Sequence, residues 1–115
     1  MQYRGGCHCD AVSFKVNVDL ASPITCNCSY CQKRGSILAF TPAENFELEK
    51  GEASLTEYRF NTKTIAHLFC ATCGMESFAR GEMPDGKKMV AVNVRCLDGV
   101  DIESLSPTMV DGRSR

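Results

Sequence analysis

Seven of the eight cysteines in this 115-residue sequence fall into three short groups whose spacing suits metal binding. The groups are Cys7-His8-Cys9, Cys26-Asn27-Cys28-Ser29-Tyr30-Cys31 and Cys70-Ala71-Thr72-Cys73-Gly74. Two thiolates separated by one or two residues can point at the same ion, because a tight turn brings their sulfur atoms to one side. A glycine after the last cysteine lets the chain bend away and frees backbone N–H groups to bond the sulfurs. The spacing therefore indicates zinc chemistry.

The first and third groups together can form a closed, four-thiolate zinc site. Such a site is tetrahedral, with Zn–S bonds of about 2.3 Å. Each of the two cysteine pairs adjoins a long β-like segment, so the pairs can meet where strands pack. A redox role for Cys70 and Cys73 is disfavoured, because the sequence after them resembles a strand rather than the start of a helix. We therefore expect one structural Zn²⁺ ion, bound by Cys7, Cys9, Cys70 and Cys73.

The middle group offers only three thiolates, those of Cys26, Cys28 and Cys31. In a structural site the protein fills all four positions of zinc, whereas a catalytic site keeps one for water or substrate. The trio is therefore either an open, reactive site or a second structural site with its fourth ligand elsewhere. The candidates for that ligand are His67, Cys96, His8 or an acidic residue. Spacing alone leaves both alternatives open.

Three of these candidates also have simpler interpretations. Cys96 continues the inward, apolar face of a strand-like segment, which predicts a buried core thiol. His8 lies between two expected ligands, so its side chain should point away from the metal. His67 lies three positions before Cys70 and so on the opposite face of a strand. It is therefore expected to be a surface or hydrogen-bonded histidine.

The use of cysteine indicates the compartment. Eight cysteines in 115 residues require either disulfides in an oxidising compartment or metal–thiolate bonds in a reducing one. The opening sequence, MQYRGGCHCD, has no apolar run that would act as a signal peptide, and no stretch is long and apolar enough to span a membrane. We therefore expect a soluble cytoplasmic protein with no membrane partner.

The charge distribution argues against a nucleic-acid partner. The formal net charge is −1 at pH 7, and acidic and basic residues are interleaved along the chain. Domains that bind nucleic acid usually carry a basic surplus or stripe. Two zinc ions bound by four and three thiolates would make the total more negative still.

Strands must position these cysteines. Residues 11–18 and 89–96 alternate apolar and polar side chains, as half-buried strands do. Turn signals separate five shorter strand predictions, Ile37–Phe40, Phe46–Glu49, Leu55–Phe60, Thr64–Phe69 and Ser77–Arg80. The sequence thus predicts an all-β fold with at most one or two helical turns. We expect one domain over residues 3–105 and a polar C-terminal tail, 106–115, that frays.

In order and spacing, these motifs resemble the glutathione-dependent formaldehyde-activating enzyme family, which includes the centromere protein V domain. The resemblance runs from about Tyr3 to Asp101, nearly the whole chain. Its motifs are Gly5-Gly6-Cys7-His8-Cys9, Cys26-Asn27-Cys28-Ser29-Tyr30-Cys31, His67-Leu68-Phe69-Cys70-Ala71-Thr72-Cys73-Gly74 and Asn93-Val94-Arg95-Cys96-Leu97-Asp98-Gly99.

The resemblance implies a Mss4-like fold, in which two antiparallel sheets pack around zinc sites. The ligands of the structural zinc in the family match Cys7, Cys9, Cys70 and Cys73. Those of the catalytic zinc, whose open position faces a thiol substrate, match Cys26, Cys28 and Cys31.

The resemblance also implies an activity, the joining of formaldehyde to glutathione to give S-hydroxymethylglutathione. The reverse is a carbon–sulfur lyase reaction. A metal-bound thiol is deprotonated, whereas a free thiol, with a pKa of about 8.5, is a poor nucleophile at neutral pH. The alternative is a non-catalytic zinc module that binds a protein or a thiol metabolite. Candidates to bind the two carboxylates of glutathione are Arg34, Arg59, Arg80 and Arg95.

Overall fold

A computed structural model of the protein describes residues 1–59 and 65–112. Within these ranges the chain forms one short helix, α1, at Ser29–Arg34. The strands are β1 Gln2–Gly6, β2 Ser13–Asn17, β3 Ile24–Cys26, β4 Leu38–Pro42, β5 Phe46–Lys50, β6 Leu55–Tyr58, β7 Ile65–Cys70, β8 Phe78–Glu82, β9 Lys88–Asn93 and β10 Thr108–Val110. No helix in these ranges is long and apolar enough to cross a bilayer.

The strands form two sheets. A three-stranded sheet has the order β1-β2-β5, and a seven-stranded sheet has the order β10-β3-β4-β9-β8-β7-β6. Among the described strands, every pairing is antiparallel except that of β10 with β3, which is parallel. The expected all-β fold with two sheets is therefore confirmed, and α1 supplies the helical turns that the sequence allowed.

The two sheets enclose a core built by the predicted alternation. Every second residue from Val12 to Val18 is 0–3 % exposed. On the facing sheet Val90 and Val92 are equally buried. Three phenylalanine rings fill the space between the sheets, with centroids 4.6–5.7 Å apart, and belong to Phe14, Phe46 and Phe78. Because the hydrophobic effect scales with buried apolar area, this layer holds the two sheets together.

The predicted strand at 89–96 ends earlier than expected. β9 stops at Asn93, and Val94–Cys96 is a 3₁₀ turn capped by the Asn93 side chain, whose Oδ1 atom accepts the Arg95 N–H at 3.2 Å. An asparagine side chain competes with the sheet for backbone groups in this way. The turn breaks the alternation, so the prediction of Cys96 as an inward core thiol is wrong. Cys96 is only partly buried, while Asn93, predicted to face outward, is 7 % exposed.

The chain beyond residue 105 differs from the expectation of a frayed tail. Thr108–Val110 forms β10, which pairs with Ile24–Cys26 of β3. The edge of β3 would otherwise present unpaired backbone groups, and β10 satisfies them. Residues 113–115 lie outside the described ranges, as do Phe60 and Thr64, the ends of two strand predictions. The proposed domain boundary at residue 105 stays a prediction.

Candidate metal centres

Four thiols meet where the β1–β2 loop approaches the end of β7, and we call them the first centre: Cys7, Cys9, Cys70 and Cys73. All four sulfur atoms lie within 4.8 Å of one another. The Cys9 Sγ atom is 3.7 Å from that of Cys7 and 3.6 Å from that of Cys70. Sulfurs at the corners of a tetrahedron with Zn–S bonds of about 2.3 Å would be about 3.8 Å apart. The donor set and its spacing therefore fit a tetrahedral zinc ion.

Backbone N–H groups surround the first centre. The Cys7 sulfur accepts the Val12 N–H at 3.3 Å, and the Cys70 sulfur accepts those of Thr72 and Cys73 at 3.4 and 3.5 Å. Gly74 adopts φ +78°, a conformation that favours glycine. Its N–H can then bond the Cys70 carbonyl at 2.8 Å. The expected glycine turn after the last cysteine is confirmed.

These N–H groups change the acidity of the thiols. Hydrogen bonds from the backbone N–H groups of Cys9 and Met75 lower the pKa of Cys73 to about 6. The N–H groups of Cys73 and Thr72 also lower the pKa of Cys70. The Ala11 N–H also lowers the pKa of Cys9. Hydrogen bonding with Cys70 and burial together outweigh that effect and raise the pKa of Cys9 to about 11. The backbone N–H groups thus favour the thiolate form at Cys70 and Cys73, the form that binds a metal ion.

The first centre joins elements from both sheets. Cys7 and Cys9 lie in the loop that connects β1 and β2 of the small sheet, and Cys70 is the last residue of β7 in the large sheet. Cys9 and Cys70 are 61 positions apart in the sequence. An ion held here would therefore cross-link the two sheets and close a long loop.

Three further thiols form the second centre: Cys26, Cys28 and Cys31. Cys26 ends β3, Cys28 is the N-cap of α1, and Cys31 lies in α1 itself. Their sulfur atoms lie within 4.8 Å of one another. Within residues 1–59 and 65–112, no histidine, cysteine or carboxylate joins this group as a fourth donor. The second centre thus has three donors where the first has four.

The thiols of the second centre differ in acidity. Burial raises the pKa of Cys28, but the Cys31 N–H and the neighbouring thiols lower it more, and the net pKa is below its usual value. That N–H lies 3.3 Å from the Cys28 sulfur, where it also caps α1. Burial raises the pKa of Cys31, and hydrogen bonding with Cys28 adds to the effect. Within this pair the thiolate form is therefore more favoured at Cys28 than at Cys31.

The segment from Val110 to Gly112 lies against the second centre. The Asn27 N–H bonds the Val110 carbonyl at 3.2 Å, and the Asn27 side-chain N–H bonds the Asp111 carboxylate at 3.0 Å. These contacts place Gly112 beside Cys26 and Cys28. No sequence signal indicated this, because the residues concerned are far apart in the chain and belong to no motif.

Two histidines and Cys96 remain as candidate ligands from the sequence. His8 is exposed and joins neither centre. His67 is hydrogen-bonded, as predicted, and buried: its Nδ1 atom lies 3.1 Å from Glu76 Oε2. Cys96 also joins neither centre, and its sulfur is 4.0 Å from the Glu76 carbonyl. Burial raises the pKa of Cys96 to about 11.

Three of the four candidate arginines are engaged within the protein. Arg34 pairs with Glu76 at 3.0 Å and Arg59 with Glu57 at 2.7 Å. The Arg80 guanidinium lies over the rings of Phe46 and Phe78. Arg95 is exposed and forms no ion pair with the residues that the structure describes. A groove of about 310 Å³ is lined by Arg80 and Lys88 but by no cysteine.

Two packed β-sheets joined by a four-thiol cluster, with a three-thiol cluster at the end of β3 and in α1, define a class of small β proteins that could hold metal ions. Residues 2–111 match the family of the glutathione-dependent formaldehyde-activating enzyme, and the chain belongs to that family. It is also similar to a Rhodobacter sphaeroides protein, a structural genomics target of known crystal structure, with 33 % sequence identity and a TM-score of 0.82. That alignment covers 92 % of this chain and 97 % of the other. The family predicted from the cysteine motifs is confirmed.

Proposed function

We propose that the protein is a zinc-dependent carbon–sulfur lyase acting on a thiol adduct such as S-hydroxymethylglutathione. In the other direction it joins formaldehyde to glutathione. The observation that carries the proposal is the second centre, where three thiols converge without a fourth donor among the described residues. A site of this kind leaves one coordination position for a ligand from outside.

Zinc suits both centres because thiolates are its usual soft ligands in proteins. We assign one structural ion to Cys7, Cys9, Cys70 and Cys73, and a second ion to Cys26, Cys28 and Cys31. When bound at the second centre, zinc would hold a substrate thiol in its deprotonated, nucleophilic form.

The role of the protein is to hold and orient the sulfurs. In the forward direction the substrate sulfur forms a bond to the formaldehyde carbon, the C=O π electrons move to oxygen, and that oxygen takes up a proton. In reverse, the hydroxyl proton leaves, the C=O bond re-forms and the C–S electron pair returns to sulfur. Cys26 and Cys28 are held by β3 and the helix cap, and Cys31 by α1. This rigid placement presents one face to the substrate.

Glutathione carries two carboxylates, and Arg95 is the candidate among the four arginines to bind one. Its side chain is exposed, whereas Arg34 and Arg59 are held by carboxylates of the chain. We place the reaction in the cytoplasm, because a reducing compartment keeps both the substrate thiol and the centre thiols reduced. No nucleic-acid partner is proposed.

The experiment must measure exchange, because the adduct also forms spontaneously. NMR exchange spectroscopy at equilibrium gives the rate at which formaldehyde and its glutathione adduct interconvert. We expect zinc-loaded protein to raise this rate without shifting the equilibrium, since a catalyst lowers only the barrier. Cys28→Ser should abolish the increase, whereas Cys96→Ala, outside both centres, should retain it. If fully zinc-loaded protein gives no increase, this substrate pair is excluded. Other thiols and aldehydes would then distinguish a different lyase from a non-catalytic zinc module.

A further inference from the structure

Glu76 is a buried carboxylate that the cysteine chemistry does not use. Its side chain is 8 % exposed, forms an ion pair with Arg34 and is hydrogen-bonded to Tyr30 and His67. Arg34 Nε lies 3.0 Å from one carboxylate oxygen, which also accepts the Tyr30 hydroxyl. His67 Nδ1 lies 3.1 Å from the other oxygen. A buried carboxylate with this many partners is fully satisfied, and each partner is oriented by it.

Two of the three partners belong to α1, the helix that carries part of the second centre. This helix has only six residues, and none of them is buried. A helix so short is not stable by itself, and most helices are held by an apolar face that packs on the core. Lacking such a face, α1 must be held in place by other contacts.

The contacts that attach α1 to the sheet converge on Glu76 and its neighbours. The Tyr30 ring lies against His67 of β7, with centroids 4.2 Å apart, and stacks on Tyr58 of β6 at 5.5 Å. Arg34 also donates a hydrogen bond to the Gly74 carbonyl at 3.1 Å. The Glu76 carboxylate joins Tyr30, Arg34 and His67 into one network, which ties the helix to β7.

Glu76 is itself held by the first centre and by β9. It follows Cys73 by three positions, and the Cys70 N–H bonds the carbonyl of the adjacent Met75 at 3.0 Å. The Asn93 side chain donates to the Glu76 carbonyl at 3.1 Å. Glu76 therefore links the two centres. Its backbone is held beside the first centre, and its carboxylate holds α1, which carries part of the second centre.

We propose that Glu76 is a positioning residue, which fixes α1 so that Cys28 and Cys31 converge with Cys26 in the geometry that binds metal and substrate thiol. This inference rests on the proposed function of the second centre. Residues that orient metal ligands from behind typically change metal affinity by about 10- to 100-fold when they are replaced. We expect replacement of Glu76 to lower zinc affinity by the same factor, at the second centre only.

The test compares Glu76→Gln with Glu82→Gln, the same change at an exposed position at the end of β8. Zinc affinity at each centre is measured by competition with a chromophoric chelator. Hydrogen exchange is followed at the amides of Gln32 in α1 and of Gly35, the C-cap of α1, which bond the carbonyls of Cys28 and Cys31. We expect Glu76→Gln to weaken zinc binding at the second centre by about tenfold or more. Exchange of these two amides should be faster, the first centre should be unchanged, and Glu82→Gln should resemble the parent protein.

Tyr30→Phe is the second variant, because it removes one hydrogen bond to Glu76 but keeps the ring that contacts His67. Tyr30→Phe should shift zinc affinity and amide exchange in the same direction as Glu76→Gln, by a smaller amount. If Glu76→Gln does not fold, Tyr30→Phe alone tests the positioning role. Unchanged affinity and exchange at the second centre, or an equal loss at both centres, would overturn the proposal. These readouts do not depend on turnover, so a failure of the proposed lyase activity is distinguished from a failure of the positioning role.

Discussion

A Cβ atom placed on Gly112 would lie 2.5 Å from the sulfur of Cys26. It would also lie 3.2 Å from the Cβ atom of Cys28. Real Cβ atoms essentially never approach another atom more closely than 3.0 Å, so the position accepts only glycine unless its neighbours move. The segment that contains Gly112 therefore packs directly against the second centre.

We expect Gly112→Ala to displace either residue 112 itself or Cys26, and so to weaken metal binding at the second centre. The melting temperature should change little, because β10 has only three residues at a sheet edge. Zinc affinity measured by chelator competition is the readout. Gly81→Ala is the matched control, since its Cβ would meet only the Ile65 side chain at an ordinary 3.6 Å. Equal affinities for the two variants would show that Gly112 does not pack against Cys26.

Cys73→Ser should give unfolded or insoluble protein. Binding of structural zinc contributes roughly 10–16 kcal/mol in small zinc-finger peptides, more than the net stability of a typical domain, about 5–15 kcal/mol. Here the ion would also join two sheets through residues 61 positions apart. Soluble yield and thermal unfolding, compared with Cys96→Ala, measure the effect. A soluble Cys73→Ser protein with an unchanged melting temperature would exclude the structural assignment.

Cys28→Ser should retain the fold and lose only the second metal ion. The three cysteines of the second centre lie within a short segment, so their ion closes almost no loop. Serine is also a favoured N-cap, so its hydroxyl can replace the Cys28 sulfur as acceptor of the Cys31 N–H. Metal content measures the loss of the second ion, and the melting temperature measures any loss of stability. A destabilisation as large as that of Cys73→Ser would mean that the second centre is structural.

Acidification should release metal from the second centre first. Thiolate ligands must be deprotonated, so metal affinity falls as the pH falls and is recovered as it rises. The first centre has four thiols, and two backbone N–H groups bond its Cys70 sulfur. The second has three thiols, with one such bond at Cys28. Stepwise acid titration with a chromophoric chelator should show two releases in this order; simultaneous release from both centres would contradict it.

Arg95→Ala should weaken glutathione binding without affecting zinc content. The expected loss is about 1 kcal/mol or less, because exposed ion pairs are weak. The measurement is the glutathione concentration that half-saturates the exchange rate, in protein loaded with zinc. Lys33→Ala, which removes an exposed positive charge from α1, serves as the control. Equal half-saturation in the parent protein and both variants would exclude Arg95 from substrate binding.

Local patterns in the sequence determined much of this protein. The alternation of Val12, Phe14 and Val16 predicted a buried strand face, because side chains on a strand alternate between its two sides whatever lies beyond. The CxC, CxCxxC and CxxCG spacings predicted which sulfurs converge, because each group closes within one turn of the chain. The pairing of the first group with the third also followed, since each adjoins a strand.

Only the tertiary structure decided what surrounds the second centre. The contacts of Gly112 with Cys26 and of Glu76 with Tyr30 join residues more than 40 positions apart. Neither Gly112 nor Glu76 belongs to a sequence motif that would predict its distant partner. Cys96 was misplaced for a related reason, because a single Asn93 side chain replaced strand geometry with a 3₁₀ turn. Periodicity records which face of an element is buried. What that face meets depends on sheet order and register, which are set by the packing of the whole chain.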